Sequence, residues 1–554
     1  MSQRGLHGTE FIDGGVRFRV FAPTAQALHL RWKGQLLGLT RREDGLFERV
    51  VEGARHGDPY SYVFEDGRVR PDPATRWQQG TVHGESTLFD PRQHSWKDSA
   101  WRGHTLAQLV IYELHLGTFT GAGTLDAALS RLPDLVELGI TCVELLPVQP
   151  FPGERNWGYD GVAPFGVQHS YGGPEALQRF VDGAHRLGLS VCLDVVYNHL
   201  GPEGNYLRDF GPYFTSRHKT PWGDGLNVDG PDAGPVRAFM VEAAVQWVRD
   251  FHLDALRLDA VHAIVDEGPT HLVTELTAAV REEGEKAGRV VHVIAESDLN
   301  DRKLVEPPPG GWGVSTVWAD DLHHALHSLL TGERASFYAD YGGPEQVTRA
   351  LSQGFVLQGE QSVFRKRPYG TPTAGLAPAR FTVCAQNHDQ VGNRPGGERI
   401  TQLLPWEALP AVAALTTLGS GLPMLFMGEE YGETKPFLYF TSHGDPQLAR
   451  AVSEGRKAEF IAAGEVPDPQ AEETFQSSKL THRRDGRHGA LREIYRSLLA
   501  LRRKHLPAIS AGWPEVKATG RTFRLQRPGL TVTVNLSPEP SGDLSAWGFR
   551  VEES

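Results

Sequence analysis

Cysteine is scarce in this sequence, which has three cysteines among 554 residues. Cys142, Cys192 and Cys384 each lie in an apolar, strand-like stretch, and no two of them have the spacing of metal ligands. These features argue against a disulfide-stapled fold and against a cysteine-ligated metal centre. We expect three reduced thiols in the core, as is usual for a cytoplasmic protein.

Long hydrophobic runs and excess positive charge are also missing. No apolar run approaches the roughly 20 residues that a membrane-spanning helix needs. The first residues, MSQRGLHGTEF, lack the basic and apolar regions of a signal peptide. The formal net charge of −12 is opposite in sign to that of a surface that binds nucleic acid or acidic lipid. We therefore expect a cytoplasmic protein with no nucleic-acid partner and no membrane partner.

Two further absences narrow the chemistry. The sequence has no phosphate-binding glycine loop and no glycine–serine–glycine elbow of a serine hydrolase. No ligand set for a metal ion is visible, so we expect neither a metal nor a cofactor.

The length exceeds what one hydrophobic core supports, so several domains are expected. Apolar and polar side chains alternate over 16–20 and 28–32, the pattern of half-buried strands. We interpret residues 1–95 as a β-sandwich module of the carbohydrate-binding kind. A similar alternation at 531–536 predicts a small C-terminal β-domain over 509–554.

Between these modules, over residues 96–508, apolar strand-like runs alternate with helical patterns. The eight runs lie at 109–119, 140–148, 190–198, 253–261, 290–297, 314–321, 381–389 and 422–430. Eight β/α units that close on themselves predict an α/β fold, the (β/α)8 TIM barrel. The long connection 199–235, rich in glycine, proline and aromatic residues, is predicted to form one wall of a cleft.

Several of the eight runs begin with apolar residues and end with polar ones. The polar ends lie at 194–199, 257–262, 296–298, 320–324 and 387–389. Active sites of TIM barrels lie at the carboxyl ends of the strands. These segments are therefore expected to converge in space although they are far apart in the sequence.

Arg257 and Asp259 lie two residues apart in the apolar run at 253–261, so a strand would place both on one face. Buried charges are costly unless they are paired. A structural ion pair would account for these two residues equally well. The polar ends of the other runs favour a functional role.

Three carboxylates stand at predicted strand ends: Asp259, Glu296 and Asp389. A site built from carboxylates suits glycoside hydrolysis, in which one acid protonates the leaving oxygen and a second carboxylate attacks carbon or activates water. Arg257 would hold Asp259 ionised as the nucleophile. Glu296 ends an apolar strand, where desolvation would keep it protonated as the acid.

Four short stretches resemble the signature regions of the α-amylase family of barrel enzymes. They are DVVYNH (194–199), LRLDAVH (256–262), IAES (294–297) and QNHDQ (386–390), and they occur in the family's order. The resemblance implies a retaining mechanism on α-linked glucose, with Asp259 as nucleophile, Glu296 as acid/base and Asp389 as stabiliser of the transition state.

The resemblance also implies contacts with the sugar at the cleaved bond. Arg257 would orient the nucleophile, His199 and His388 would bind hydroxyl groups, and Tyr159 would be an aromatic platform. Longer stretches, among them NWGYDGV (156–162) and DDLHHALHSLLTGE (320–333), are similar to the trehalose-releasing branch of the family. That similarity places further substrate contacts at His262, Asp321, His324, Gln390 and Asn393.

This branch implies hydrolysis of the α-1,4 bond next to the terminal trehalose of a maltooligosyltrehalose. The products would be trehalose and a maltooligosaccharide, and the enzyme would act in sequence with a maltooligosyltrehalose synthase. A trehalose pocket needs polar groups for hydroxyls and an aromatic for the apolar sugar face. The expected aromatic residues are Tyr213, Phe214 and Trp222, and the expected hydroxyl partners are Asp320, Asp321, His323 and His324.

Several alternatives remain at this point. The histidines at 323, 324 and 327 would also fit a solvated helix start, and Glu429 and Glu430 either touch substrate or pair within the last loop. Glucan branching and debranching enzymes of the same family share the module, the barrel and the catalytic trio. In another class, the barrel would be an inactive glycan-binding protein.

Overall fold

The structure, a computed structural model, describes residues 7–461 and 466–554. Residues 1–6, the start of the predicted N-terminal module, lie outside the described residues. Three β regions follow one another along the chain, and helices surround the central one.

Two antiparallel sheets form the N-terminal region. Its strands are β1 (Gly8–Ile12), β2 (Gly15–Phe21), β3 (Leu28–Trp32), β4 (Gln35–Gly38), β5 (Thr40–Arg41), β6 (Leu46–Glu52), β7 (Pro59–Phe64), β8 (Val69–Arg70) and β9 (Ser86–Thr87). One sheet has the order β1-β2-β6-β5 and the other β4-β3-β7-β8, with β9 paired to β7. Phe18 and Leu30, from the predicted alternating stretches, are both fully buried. The predicted sandwich is confirmed.

Eight parallel strands close into the central barrel. Between residues 111 and 426 the strands are β10 (Ile111–Leu114), β11 (Cys142–Leu145), β12 (Ser190–Val195), β13 (Phe214–Thr220), β14 (Gly223–Leu226), β15 (Ala255–Leu258), β16 (His292–Ala295), β17 (Thr316–Trp318), β18 (Phe381–Cys384) and β19 (Leu422–Phe426). The barrel order is β10-β11-β12-β15-β16-β17-β18-β19, and β10 pairs with β19 to close it. Each barrel strand lies within one of the eight predicted runs, so the TIM barrel is confirmed.

Helices cover the outside of the barrel because their apolar residues recur on one face. The α-helices are α1 (Leu116–Phe119), α2 (Leu125–Leu129), α3 (Leu132–Leu138), α4 (Gly173–Arg186), α5 (Leu207–Phe210), α6 (Ala233–Arg249), α7 (Leu272–Lys286), α8 (Asp321–Thr331), α9 (Pro344–Gln353), α10 (His388–Gly392), α11 (Ile400–Leu403), α12 (Leu409–Leu418), α13 (Pro446–Glu459), α14 (Glu472–Ser477), α15 (Gly486–Lys504) and α16 (Leu506–Ala511). Short 3-10 helices lie at Pro91–Gln93, Leu106–Gln108, His169–Tyr171, Val261–Ala263, Arg302–Leu304, Ser336–Asp340, Pro378–Arg380, Trp406–Ala408 and Glu429–Tyr431. In α4, for example, Leu177, Phe180 and Ala184 are fully buried.

A four-stranded antiparallel sheet ends the chain. Its strands, in sheet order, are β20 (Glu515–Thr519), β21 (Thr522–Arg527), β22 (Leu530–Asn535) and β23 (Phe549–Glu553). Val532 and Val534 of β22 are fully buried, as their alternation predicted. The exact domain limits at 95 and 508 remain predictions.

The long connection after β12 contains α5 and the β13–β14 hairpin. Tyr213, expected to face a sugar, is instead fully buried, with its ring 6.1 Å from Phe21 and 5.2 Å from Phe239. It therefore attaches the connection to the N-terminal module, which corrects that expectation. The spacing of aromatic residues in a loop does not reveal which of them packs inward.

The three cysteines are free and buried, as expected. Among the described residues, no helix combines the length and the apolar character needed to cross a membrane.

Candidate active site

One buried arginine ties together the carboxylates that follow neighbouring strands. Arg257 on β15 is fully buried, and its Nη1 donates to Asp259 Oδ1 at 2.8 Å and to both oxygens of Asp194 at 2.9 Å. Its Nη2 lies 3.9 Å from Glu296 Oε2. Asp259 and Glu296 therefore face one centre, because a single guanidinium group reaches both.

Asp259 follows β15 and accepts hydrogen bonds on both carboxylate oxygens. Besides Arg257 at Oδ1, Asn198 Nδ2 donates to Oδ2 at 2.6 Å and to the Asp259 backbone oxygen at 2.8 Å. Donors of this kind stabilise the anion and fix its direction. The arrangement leaves an oriented, ionised carboxylate at the mouth of the barrel.

Glu296 follows β16 and has a different environment. Its Oε2 accepts a hydrogen bond from the backbone N–H of Ala260, which adopts a left-handed conformation with φ of 39°. Burial raises the pKa of Glu296 to about 8; Arg257 opposes the shift and the charge of Asp259 adds to it. At neutral pH this group therefore holds a proton, and the two carboxyl groups beside Arg257 differ in protonation.

Asp389 lies in α10, whose first turn is capped by Asn387. The Asn387 side chain accepts from the backbone N–H groups of Asp389 and Gln390. The Asp389 side chain is 46 % exposed, and its Oδ1 accepts from Asn393 Nδ2 at 3.2 Å. It is thus the most open of the three carboxylates, available to a ligand in the cleft.

His388 is held beneath the cleft by Glu113 of β10. Glu113 Oε1 lies 2.6 Å from His388 Nδ1, and Oε2 accepts from the His388 backbone N–H at 3.0 Å. Burial lowers the pKa of His388, but the charges of Asp389 and Glu113 outweigh this and raise it to about 9. The imidazole is therefore a cation at neutral pH.

Tyr159 links this imidazolium to the arginine network. Its hydroxyl lies 2.8 Å from His388 Nε2 and donates to Asp194 Oδ2 at 2.6 Å. The two rings stack with centroids 5.3 Å apart. Arg257 in turn lies over Trp318 of β17, 4.1 Å from the ring centroid. The floor of the site is therefore one continuous network in which each charge has a partner.

His199 and Trp222 form the wall on the side of the hairpin. Their rings stack with centroids 4.5 Å apart and an interplanar angle of 13°. His199 Nε2 lies 3.0 Å from the backbone oxygen of Tyr159. Trp222, at the hairpin tip, is 51 % exposed and offers a free apolar face. An exposed tryptophan of this kind suits the apolar face of a sugar.

Asp320 and Gln390 lie together on the β17 side. Gln390 Nε2 donates to Asp320 Oδ1 at 3.1 Å. Burial, aided by the charges of Asp389 and Asp321, raises the pKa of Asp320 to about 7. His324 is half-buried next to the rings of Phe337 and Tyr341, at 4.6 and 5.2 Å.

Two residues expected to contact substrate lie behind the cleft wall. Asp321 is buried, and its Oδ1 accepts from Asn300, Tyr341 and the Val356 backbone. His323 is buried too, with partners inside the protein for both ring nitrogens: the Ala385 oxygen and the Tyr338 hydroxyl. Both side chains hold the loops that carry the wall.

A further edge of the cleft lies beyond His262. No sequence pattern had indicated it. His262 Nε2 is 3.8 Å from Asp298, and Asp298 accepts from Arg365 at 2.9 Å. Next to Arg365, Phe364 is 42 % exposed, with its ring 6.4 Å from Phe337. This aromatic rim, Phe337 with Phe364, lies in connections that have no strand signature.

Glu113 and Trp318 were absent from the expected site residues, and Asp194 and Asn198 were expected only as part of the converging segment 194–199, without a role of their own. A polar residue inside an otherwise apolar strand run was the available signal for Glu113 and Asp194. Sequence reasoning does not reveal which partner such a residue meets.

Glu429 and Glu430 pair within the protein. Tyr495 donates to Glu429 at 2.9 Å and Tyr112 donates to Glu430 at 3.1 Å, and both glutamates are buried. They belong to the last βα loop and not to the cleft surface.

In the described part of the chain, His218, Asp229 and Glu267 form a group whose ligand atoms lie within 4.8 Å of one another. Arg217 pairs with Glu267 and lies 3.5 Å from Asp229, so a guanidinium already supplies positive charge there. Because Arg217 already supplies the positive charge that these side chains need, we assign no metal ion to this group.

Comparison with known proteins gives concordant results. The family model for the catalytic domain of α-amylase matches residues 77–222. The chain is 43 % identical to the malto-oligosyltrehalose trehalohydrolase of Rhizobium sp. (strain M-11), over 96 % of this chain and 92 % of that protein. It is 46 % identical to that of Arthrobacter ramosus, over 95 % and 94 %.

A solved structure, described as a putative alpha amylase from Salmonella typhimurium, has a TM-score of 0.92 at 38 % identity and covers 99 % of both chains. A 1,4-alpha-glucan branching enzyme from Pseudoalteromonas atlantica is more distant, at 28 % identity over 64 % of this chain.

Proposed function

The chain belongs to the malto-oligosyltrehalose trehalohydrolases of the α-amylase family, and we propose how its cleft performs the reaction. The enzyme is a glycoside hydrolase that releases trehalose from maltooligosyltrehalose. The proposed route is a retaining double displacement at the α-1,4 bond that joins the maltooligosaccharide to the terminal trehalose.

The observation that carries this route is the shared guanidinium of Arg257. It lies 2.8 Å from Asp259 and 3.9 Å from Glu296, which supports the proposal that these two carboxyl groups act on the same bond. One is fixed as an anion, and burial raises the pKa of the other to about 8. A retaining glycosidase needs a nucleophile and a protonated acid in this proximity.

In the first step, Asp259 attacks the anomeric carbon while Glu296 gives its proton to the departing oxygen. The C–O bond breaks, trehalose leaves with the proton on its 4-hydroxyl, and a maltooligosyl ester of Asp259 forms. Asp389 and the cationic His388 lie beside the reacting sugar, where Asp389 stabilises the positive charge that develops on the ring.

In the second step, Glu296 is a carboxylate and takes a proton from water. The water oxygen attacks the same carbon, the ester bond to Asp259 breaks, and a maltooligosaccharide with retained α-configuration leaves. Glu296 is protonated again and Asp259 is an anion again, so the cycle closes.

Substrate contacts follow the walls of the cleft. We assign the sugar at the cleaved bond to Tyr159, His199, Arg257, His388 and Asp389, and the Trp222 face to an adjoining sugar. Asp320, His324, Gln390 and Asn393 provide polar partners, and His262 lies where the cleft meets the aromatic rim of Phe337 and Phe364. Exposed aromatic faces beside polar groups suit a bent disaccharide.

Product analysis tests the function. Purified enzyme is incubated with maltotriosyltrehalose and, separately, with amylose and with pullulan. We expect trehalose and maltotriose from the first substrate. Transfer of glucan chains, or cleavage of α-1,6 bonds without trehalose release, would contradict the proposal in favour of a branching or debranching enzyme. Proton NMR of the first product formed distinguishes retention from inversion at the anomeric carbon.

We further propose that the enzyme works in the cytoplasm, in sequence with a maltooligosyltrehalose synthase. Its substrate carries a trehalose end that another enzyme must build, and the three buried free thiols suit a reducing compartment. A mixture of such a synthase with this enzyme should convert maltohexaose to trehalose. Failure of the mixture while maltotriosyltrehalose is still hydrolysed would contradict the pairing alone.

A further inference from the structure

A second pocket lies at the opposite end of the barrel from the carboxylates. It has a volume of about 270 Å³, slightly below the roughly 300 Å³ at which pockets for drug-sized ligands begin. Its lining includes residues that precede β10, β11 and β12, together with the end of α15. Because these are the amino ends of the strands, this base pocket is separate from the active site.

The polar lining of the base pocket offers hydrogen-bond donors and positive charge. Its polar residues are His104, Gln108, Thr141, Arg502 and Arg503, and no described lining residue is acidic. Gln108 Oε1 already accepts from the Thr105 backbone at 2.8 Å, which leaves its amide N–H₂ as a donor. His104 Nδ1 lies 3.0 Å from Ser190 Oγ, which leaves Nε2. Arg503 is exposed and forms no ion pair within the described residues.

Arg502 adds a buried charge that no carboxylate of the described chain neutralises. It is 3 % exposed, its Nη1 donates to the Thr417 oxygen at 2.9 Å and its Nη2 donates to the Gly421 oxygen at 2.6 Å. Its Nε is buried without a hydrogen-bond partner in the described structure. Burial and the nearby charge of Arg527 lower the pKa of Arg502 to about 9, so it is still a cation at neutral pH. Backbone carbonyls at the end of α12 compensate only part of such a charge.

The aliphatic part of the lining consists of Val110, Val136, Ile140, Leu499 and Leu506. A ligand that fits both parts has a small apolar body and one anionic group. A neutral sugar would leave the positive charge without a counterpart and would place hydroxyl groups against aliphatic carbon.

We propose that the base pocket binds a small aliphatic carboxylate, whose anionic group lies between Arg502 and Arg503 and whose carbon chain lies on Leu499 and Leu506. The arginines give charge-assisted hydrogen bonds, and the aliphatic wall adds apolar burial. This site is independent of the reaction in the cleft.

The test is isothermal titration of the full-length enzyme with 4-methylpentanoate and with its neutral isostere 4-methylpentanamide. We expect saturable binding of one carboxylate per chain, unaffected by a saturating concentration of trehalose. The amide should bind at least about tenfold more weakly, the loss expected for one charge-assisted contact.

Two variants locate the site. Arg503→Gln removes the exposed charge and should weaken carboxylate binding about tenfold, with a thermal midpoint unchanged because the side chain is at the surface. Arg496→Gln, on the same helix and paired with Glu493, is the matched control and should bind normally. Equal binding of amide and carboxylate, equal binding by both variants, displacement by trehalose or no saturable binding would each overturn the proposal.

Discussion

The two ends of the barrel bury the same kinds of charged residue but pair them differently. At the carboxyl end, burial raises the pKa of Glu296 to about 8 and that of Asp320 to about 7. At the amino end, His185 lies between Asp98 and Asp254, with its two ring nitrogens 2.9 Å from an oxygen of each. Glu296 and Asp320 at the carboxyl end thus have raised pKa values, whereas in this group at the amino end each charge lies against an opposite charge.

The matched group at the amino end, which we call the base cluster, comprises Asp98, His185, His252 and Asp254. His252 Nδ1 lies 2.7 Å from Asp98, and Trp101 donates to Asp254 at 2.7 Å while stacking on His185. Asp98 and Trp101 precede the first barrel strand, so the cluster fixes the incoming chain to the barrel. Pairing thus decides whether a buried charge serves the fold or stays free for proton transfer.

The largest effect should come from a substitution at the carboxyl end of the barrel. Asp259→Asn removes the proposed nucleophile, and kcat/KM for trehalose release should fall by about 10⁴-fold or more. Asp126→Asn, which removes one partner of an exposed ion pair with Arg179, is the control and should retain full activity. Substantial hydrolysis by the Asp259→Asn variant after removal of trace wild type would show that the nucleophile is another residue.

Breaking the base cluster should affect stability and not chemistry. His185→Leu leaves two buried aspartates without their shared histidine, at a cost of about 3 kcal/mol in the free energy of unfolding. The change is measured as the shift of the thermal midpoint, with kcat of the folded enzyme nearly unchanged. His505→Leu, which breaks an ion pair with the exposed Glu553, is the control and should shift the midpoint far less.

The same comparison predicts a pH dependence. The pKa of His185 is raised: burial opposes this, and hydrogen bonds to Asp254 and Asp98 outweigh it. A raised pKa means that the stabilisation is complete below the unfolded value of about 6.5 and is lost as pH rises through the folded value. The difference in midpoint between wild type and His185→Leu should therefore shrink on the alkaline side. A difference that grows with pH would contradict this assignment.

Glu113→Gln tests whether the cation at His388 depends on Glu113. Without that charge the pKa of His388 falls from about 9, and the imidazole becomes neutral at a lower pH. We expect kcat/KM of the wild type to fall on the alkaline side as Glu296, the proposed acid, loses its proton at a pKa of about 8. In the variant, kcat/KM should begin to fall at a lower pH, because His388 loses its proton earlier. At pH 8 we expect about a tenfold loss of activity.

Glu144→Gln is the matched control for that experiment. Glu144 lies opposite Glu113 across β10 and β11, but its carboxyl oxygens have no hydrogen-bond partner among the described residues. Burial raises the pKa of Glu144 to about 8, so it is already neutral where the enzyme works. If the pH profile of kcat/KM shifts equally in both variants, the effect arises from the loss of any carboxyl group at this position of the barrel and not from the contact with His388.

At the wall we expect an effect on substrate binding and not on the chemical step. Trp222→Ala removes an exposed ring face stacked on His199 and should raise KM about tenfold with little change in kcat, because the contact is made with bound substrate throughout. Leu36→Ala, at another exposed apolar residue, should leave KM unchanged. A fall in kcat with unchanged KM would place Trp222 in the chemical step.

The sequence by itself determined the architecture and the type of chemistry. All eight barrel strands lie in apolar runs visible in the sequence, because a strand covered on both faces has to be apolar along its length. Asp259, Glu296 and Asp389 stand out because each ends such a run with a charge. Alternation of apolar and polar residues indicated the two flanking β regions, because their strands are covered on one face only.

Only the tertiary structure decided which polar residues face the cleft and which face the core. Tyr213, Asp321 and His323 have the right composition for a sugar site, yet the structure buries all three. Glu113 lies inside a strand, and its role follows from a histidine 275 positions away in the chain. Local pattern records how much of a segment is buried, whereas the protonation of Glu296 and of His388 depends on neighbours that only the closed barrel brings together.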